Sequence, residues 1–325
     1  MVPRPMAEPP ASVPPGAAPR SSFPPPPPAK GAWPCARGIV RTMRPHQWFK
    51  NLFVLAPVVF AKHLTEPHII RGAVGAFAIF CLMAGAVYTL NDLVDVEADR
   101  IHPVKRYRPI ASGVVPPALA KVLVVGLLAV SAGASALLPW QFALLAAIYF
   151  AQNVAYSFRL KKIAYLDVAC IALGFVLRVL AGGFATRTPV SGYMIACTVF
   201  LALFLGFGKR RHELGGAGAT RQRAALRAYS KRALGVALAL SGVASVATYL
   251  AYTLDPFTQQ FFQTGWLWPT TIHPLFGVLR FLQLVGGRGK AESPTQEMLR
   301  DSPFMLNLAI WMAEIMVIVY HLRPT

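Results

Sequence analysis

Asn91-Asp92-Leu93-Val94-Asp95-Val96-Glu97-Ala98-Asp99 follows directly on a predominantly apolar run over residues 70–90. On an α-helix, positions 91, 95 and 99 form one stripe that drifts by roughly 40° per step, with 92 beside it. Asn91, Asp92, Asp95 and Asp99 therefore present oxygen-bearing side chains together, where a membrane-length helix meets water. Mg²⁺ is a hard cation that takes oxygen ligands, typically one or two carboxylates plus substrate phosphates. The pattern predicts Mg²⁺ held by Asp92, Asp95 and Asp99, with a diphosphate bound to it. An ordinary helix end leading into a basic loop would explain the cations that come next. It would not explain three aspartates in register.

The acidic stripe stands out because the chain is otherwise basic, with a formal net charge of +19 over 325 residues. Hydrophobic residues make up 55% and charged residues only 14%, and the mean hydropathy is +0.48. Soluble domains carry about 25% charged residues, so the composition predicts a polytopic protein of the lipid bilayer. The basic excess sits in loops, which fits topology and phosphate-bearing ligands and argues against nucleic-acid binding. Of the four cysteines, Cys81, Cys170 and Cys197 lie in apolar runs and Cys35 precedes them; none has metal-ligand spacing. They read as small apolar filler. Residues 1–36 are Pro- and Ala-rich, with an unbroken run from Pro24 to Pro28, and read as a disordered tail ahead of a membrane domain over 37–325.

Apolar stretches of bilayer-spanning length recur at approximately 46–63, 70–90, 118–138, 141–158, 164–184, 191–208, 233–253, 267–285 and 303–321. The expected fold is all-α, a bundle of about nine transmembrane helices around a cytoplasm-facing cavity. Basic residues concentrate in alternate loops: before the first span, over 91–117, 159–162, 209–232 and 286–302. The positive-inside rule then places the N-terminus and the acidic stripe in the cytoplasm and the C-terminus outside, in a plasma membrane. Nothing in the composition fixes an oligomeric state.

Three segments carry candidate chemistry. The stripe continues into Arg100 and then Lys105, Arg106 and Arg108, so Lys105 and Arg108 are placed to bind non-bridging phosphate oxygens. A second segment, Tyr156-Ser157-Phe158-Arg159-Leu160-Lys161-Lys162, also ends a span on the cytoplasmic side. In the next span Asp167 and Arg178 share a face, since eleven residues turn through about three full turns plus ~20°. Ionisable groups in an apolar run usually face a cavity or a helix partner; a purely structural contact is the alternative. Third, Lys209-Arg210-Arg211 opens a loop where Arg223, Arg227 and Lys231 recur at helical spacing. That loop fits either a basic amphipathic surface helix or a plain solvated loop. Lys50 could hold a lipid phosphate or simply snorkel, and His273, Arg280 and Glu314 stay open between function and structure. There is no nucleophile motif, P-loop or dinucleotide fingerprint.

The Asn91–Asp99 pattern on such a chain resembles the first aspartate-rich motif of the UbiA superfamily of intramembrane prenyltransferases. Tyr156–Asp167 sits where that superfamily has its second polar motif. The resemblance covers about residue 41 to the end. Further residues are similar to one branch: Arg44-Pro45-His46-Gln47-Trp48-Phe49-Lys50-Asn51, His102-Pro103, Arg108-Pro109-Ile110-Ala111-Ser112-Gly113, Gly174-Phe175 with Arg178, and Ala181-Gly182-Gly183. In that branch phosphoribosyl pyrophosphate is the donor and polyprenyl (decaprenyl) phosphate the acceptor. The resemblance implies Mg²⁺-dependent transfer of 5-phosphoribose with release of diphosphate, supplying a lipid-linked pentose for cell-wall polysaccharide such as arabinogalactan. It implies Asp92, Asp95, Asp99 and Asp167 as catalytic residues. Lys50, Asn91, Lys105, Arg108, Tyr156, Lys161, Lys162 and Arg178 would bind substrate. The second segment departs from the superfamily's usual second aspartate motif by being cationic. Rival readings are prenyl transfer from a diphosphate to an aromatic or quinone precursor, and a cation transporter or lipid-binding membrane protein.

Overall fold

The structure, a computed structural model, describes residues 31–63, 65–102, 104–215, 224–286 and 294–320. Among these every regular element is helical. Helix α1 (Ala32–Met43) ends at Arg44, whose left-handed backbone (φ 52, ψ 61) turns the chain into a 3₁₀ segment, Pro45–Leu55, continued by α2 (Ala56–Phe60). Then follow α3 (Pro67–Val94), α4 (Val96–Ile101), α5 (Pro117–Ser135), α6 (Trp140–Phe158), α7 (Leu166–Thr186) and α8 (Gly192–Gly215). The remaining helices are α9 (Lys231–Leu254), α10 (Pro256–Phe262), α11 (Ile272–Gly286), α12 (Pro294–Met298) and α13 (Ser302–Tyr320).

Six helices, α3, α5, α7, α8, α9 and α13, are long and apolar enough to cross a membrane. The other three expected spans fall on the 3₁₀–α2 segment, α6 and α11. A 3₁₀ helix rises about 2.0 Å per residue, so Pro45–Leu55 covers roughly 22 Å and α2 adds about 7.5 Å. Together they match a hydrocarbon core of about 30 Å with few residues. Helix α3, at 28 residues, is roughly 42 Å long and exceeds a hydrocarbon core of about 30 Å.

Helices α3 and α7 are the central pair: 61% of each apolar window is buried inside the protein, against 22% for α5 and 11% for α13. The main core joins them to α6 and the 3₁₀ segment through Val54, Ile79, Phe80, Met83, Phe142, Tyr149 and Leu177. Phe204, Leu238, Phe281 and Val285 knit α8, α9 and α11. Side chains such as Val125, Val243 and Leu306 point outward, where lipid would cover them. The 3₁₀ segment lies so close to α7 that a Cβ on Gly182 would overlap the carbonyl oxygen of Val54. Small residues permit this kind of backbone approach in membrane bundles.

Two expected boundaries move. Residues 1–30 of the expected tail lie outside the described residues, but its last residues, from Ala32, belong to α1. Helix α8 runs on to Gly215, so Lys209, Arg210 and Arg211 sit inside a helix rather than opening a loop. The described basic residues beyond it fall in separate elements. Arg221 and Arg223 lie outside the described residues, Arg227 is in a short 3₁₀ stretch (Ala224–Ala228), and Lys231 starts α9 under a Ser230 cap.

Candidate active site

The acidic stripe bends without breaking. The N–H of Asp95 still donates to Asn91 O at 3.0 Å, and the N–H of Asp99 to Asp95 O at 2.8 Å. Asp95 itself (φ −93, ψ 6) leaves the helical region and divides α3 from α4. The bend also divides the carboxylates. Asp92 and Asp99 converge on one guanidinium nitrogen, Arg108 Nη1, at 3.1 and 2.6 Å. Arg44 Nη2 reaches the same Asp92 oxygen at 2.6 Å. The left-handed turn at Arg44 aims its side chain here, over the Tyr88 ring. Asp95 turns aside to Lys161 Nζ, 3.0 and 3.1 Å from its two oxygens. Its side chain is 39% exposed, against 3% for Asp92 and 4% for Asp99.

The expected three-carboxylate set is therefore not gathered on one point. Among the described residues no three His, Cys, Asp or Glu side chains are placed to share a metal ion. Two carboxylates do share a cationic centre, and their donors are all oxygen. That fits a hard cation which completes its shell with substrate phosphate. Cations from three separate parts of the chain, Arg44, Arg108 and Lys161, already compensate these aspartates.

Arg178 and Lys50 occupy a different position. Arg178 is buried and donates to Asn51 Oδ1 (2.8 Å), Gly174 O (2.9 Å) and Tyr149 Oη (2.7 Å), with its guanidinium over the Tyr149 and Phe175 rings. Lys50 donates to Gln47 Oε1 at 2.7 Å. Lys105, whose backbone N–H donates to His102 Nδ1, and Lys162, in the 3₁₀ turn before α7, belong to neither carboxylate set among the described residues.

Asp167, which shares a helix face with Arg178, does not open onto a cavity. It is fully buried (0% exposed) in a closed contact. Tyr229 Oη donates to Asp167 Oδ1 at 2.5 Å, and Arg210 Nε lies 2.7 Å from Asp167 Oδ2. Arg210 also holds Glu213 at 2.5 Å. The Tyr229 oxygen accepts the N–H of Tyr165, a residue with positive φ (65), so one phenol fixes both the strained turn and the head of α7. Burial, and then the bond to Asp167, pushes the Tyr229 phenol above its usual range. Tyr156 lies within electrostatic range of Arg210. Arg210, expected in either a basic surface helix or a solvated loop, is 1% exposed. Its signal was a stripe at steps of four: Ala202, Gly206 and Arg210 are all buried. Arg44 gave no such signal, because its role comes from the turn after α1.

The sequence profile described as the UbiA prenyltransferase family matches residues 52–308. The chain belongs to this family. A UbiA homolog from Archaeoglobus fulgidus, solved bound to DMAPP and Mg²⁺, superposes with a TM-score of 0.66 at 20% identity, covering 88% of this chain and 100% of that one. This chain thus has the UbiA fold, built here as a multi-pass membrane bundle. A Mycolicibacterium smegmatis protein named decaprenyl-phosphate phosphoribosyltransferase is 35% identical over 299 residues, 87% of this chain and 92% of that protein. A Corynebacterium glutamicum protein of the same name is 34% identical over 296 residues, covering 88% and 87%.

Proposed function

We propose that this chain transfers 5-phosphoribose from phosphoribosyl pyrophosphate to a polyprenyl phosphate, decaprenyl phosphate by analogy with its named relatives, releasing diphosphate. The observation that carries the reading is the charge pattern of the site. Beside three aspartates stand Arg44, Arg108 and Lys161, with Lys50 and Arg178 in addition. That excess of cations suits two phosphate-bearing substrates. It suits an apolar aromatic acceptor poorly. The near-full-length similarity to the mycobacterial and corynebacterial proteins supports the same reaction.

The chemistry needs little from the side chains beyond electrostatics. An oxygen of the lipid phosphate bonds to C1 of the ribose as the C1–O bond to diphosphate breaks, and the diphosphate leaves with the electron pair. The acceptor phosphate is already ionised near neutrality, so no general base is required. Arg108 and Arg44 are placed to take up charge on the departing diphosphate. Lys161, held at Asp95, brings a further positive charge to the same edge. Mg²⁺, held by Asp92 and Asp99 with Asp95 at the rim, would neutralise the leaving group. Asn91, Lys105, Tyr156 and Lys162 complete the proposed substrate-binding set, and Asp167 supports it from the buried contact with Arg210. In this reading the charged end of the bundle faces the cytoplasm, where the soluble donor is found.

The test uses membranes containing the protein, labelled phosphoribosyl pyrophosphate, polyprenyl phosphate and Mg²⁺. A lipid-extractable phosphoribose is the expected product. Transfer of a prenyl group to an aromatic acceptor, with no labelled lipid formed, would replace this reading with its nearest rival.

A further inference from the structure

Four cations around the aspartates and around Asp167 lie directly against a carboxylate. Arg44, Arg108, Lys161 and Arg210 lie 2.6, 2.6, 3.0 and 2.7 Å from Asp92, Asp99, Asp95 and Asp167. Arg178 and Lys50 break that pattern. The three groups that accept from Arg178 are an amide, a backbone carbonyl and a phenol, and the group that accepts from Lys50 is an amide. Among the described residues no Asp or Glu pairs with either.

The hydrogen bonds of Arg178 are thus satisfied while its charge is not compensated, and the side chain is only 7% exposed. Two aromatic faces lessen that cost without removing it. Asn51, which binds Arg178, is the chain neighbour of Lys50. Lys50 lies within electrostatic range of Arg178, Arg44 and Lys209. Like charges held together in a region of low polarity repel one another unless an anion joins them.

We infer that Lys50, Arg178 and Lys209, contributed by the 3₁₀ segment, α7 and α8, form a second anion subsite that binds a phosphate monoester without a metal ion. This rests on the proposed reaction for its ligands but differs from the aspartate site in its charge logic. Lys50 and Arg178, which meet only neutral acceptors among the described residues, offer nothing to hold Mg²⁺ and need none. Arg178 lies twelve residues from the start of α7, about 18 Å along the helix, whereas Asp92 stands in the last turn of α3. Two substrates carry the right group: the 5-phosphate of the sugar donor and the phosphate of the lipid acceptor.

Isothermal titration of the full-length protein in detergent, with EDTA present, tests this using ribose 5-phosphate and farnesyl phosphate as probes. At least one should bind without metal, and its affinity should fall tenfold or more in both Lys50→Met and Lys209→Met. The probe that weakens identifies the source. Arg178→Lys should keep part of the binding and Arg178→Gln should lose it. Should Arg178→Gln fail to fold, the lysine variants still decide the matter. Metal-dependent binding of both probes, or unchanged affinity in folded Lys50→Met and Lys209→Met, would overturn the subsite. An absence of phosphoribosyl transfer in wild-type membranes would instead sink the proposed reaction and leave this binding result standing.

Discussion

The three aspartates of the opening stripe differ in what their loss would do. Asp95 is the most exposed and has one cationic partner, Lys161, so its replacement disturbs little packing. Asp95→Asn is expected to insert and fold normally while transfer falls by about 100-fold, the scale of one lost electrostatic contact at about 2.7 kcal/mol or more. Wild-type turnover at limiting Mg²⁺ would show that Asp95 has no part in handling the metal–diphosphate. Asp167 should behave in the opposite way. Its partner Arg210 is buried, and breaking a buried pair by removing one member costs about 3–5 kcal/mol. Asp167→Ala should therefore lower the thermal unfolding temperature in detergent and reduce yield. Full stability with loss of activity alone would make Asp167 a reacting group after all.

At the scale of elements, the site depends on how the 3₁₀ segment lies on α7. Gly182 faces the Val54 carbonyl, and the same two elements supply Asn51 and Arg178. Gly182→Ala should cost about 1–3 kcal/mol through overpacking, and should impair transfer by separating that pair. A variant as stable as wild type would show that the backbones can part freely. The last helix, α13, is tied to α11 by His273 to Asn307 and Glu314, and by Arg280 to Asp301. The Arg280 hydrogen bond holds the Asp301 carboxyl below its ordinary value. A lowered folded value means that the contribution is present above the unfolded pKa, about 3.9, and fades as pH falls through the folded value. Amide exchange near Ser302–Phe304 should accordingly rise as pH drops below about 4. In Arg280→Gln that acid-dependent step should disappear, and its persistence would assign the step to another group.

For the whole molecule, the pairs that join Arg44, Arg108 and Lys161 to aspartates gather at one end of α3, in a bundle that exposes many apolar side chains. The proposed orientation puts that end in the cytoplasm. A cysteine introduced by Lys162→Cys, in a background without the four native cysteines, should react with a membrane-impermeant maleimide only after the cells are opened. Labelling of intact cells would invert the topology. Helical content, membrane residence and family were all legible in the chain, because hydropathy and the aspartate spacing are local properties. Periodicity likewise assigned Asp92, Asp95 and Asp99 to one side of a helix. It could not say that a bend at Asp95 sends one carboxylate to Lys161 and leaves the other two to share Arg108. Nor could it say that Arg210 is buried, or that Arg178 meets only neutral acceptors. The decisive contacts join residues 48, 66 and 127 positions apart: Arg44 to Asp92, Asp95 to Lys161, and Asn51 to Arg178. A helix face fixes the direction in which a side chain points. Which partner waits there depends on how separate helices pack, and only the tertiary structure decides that.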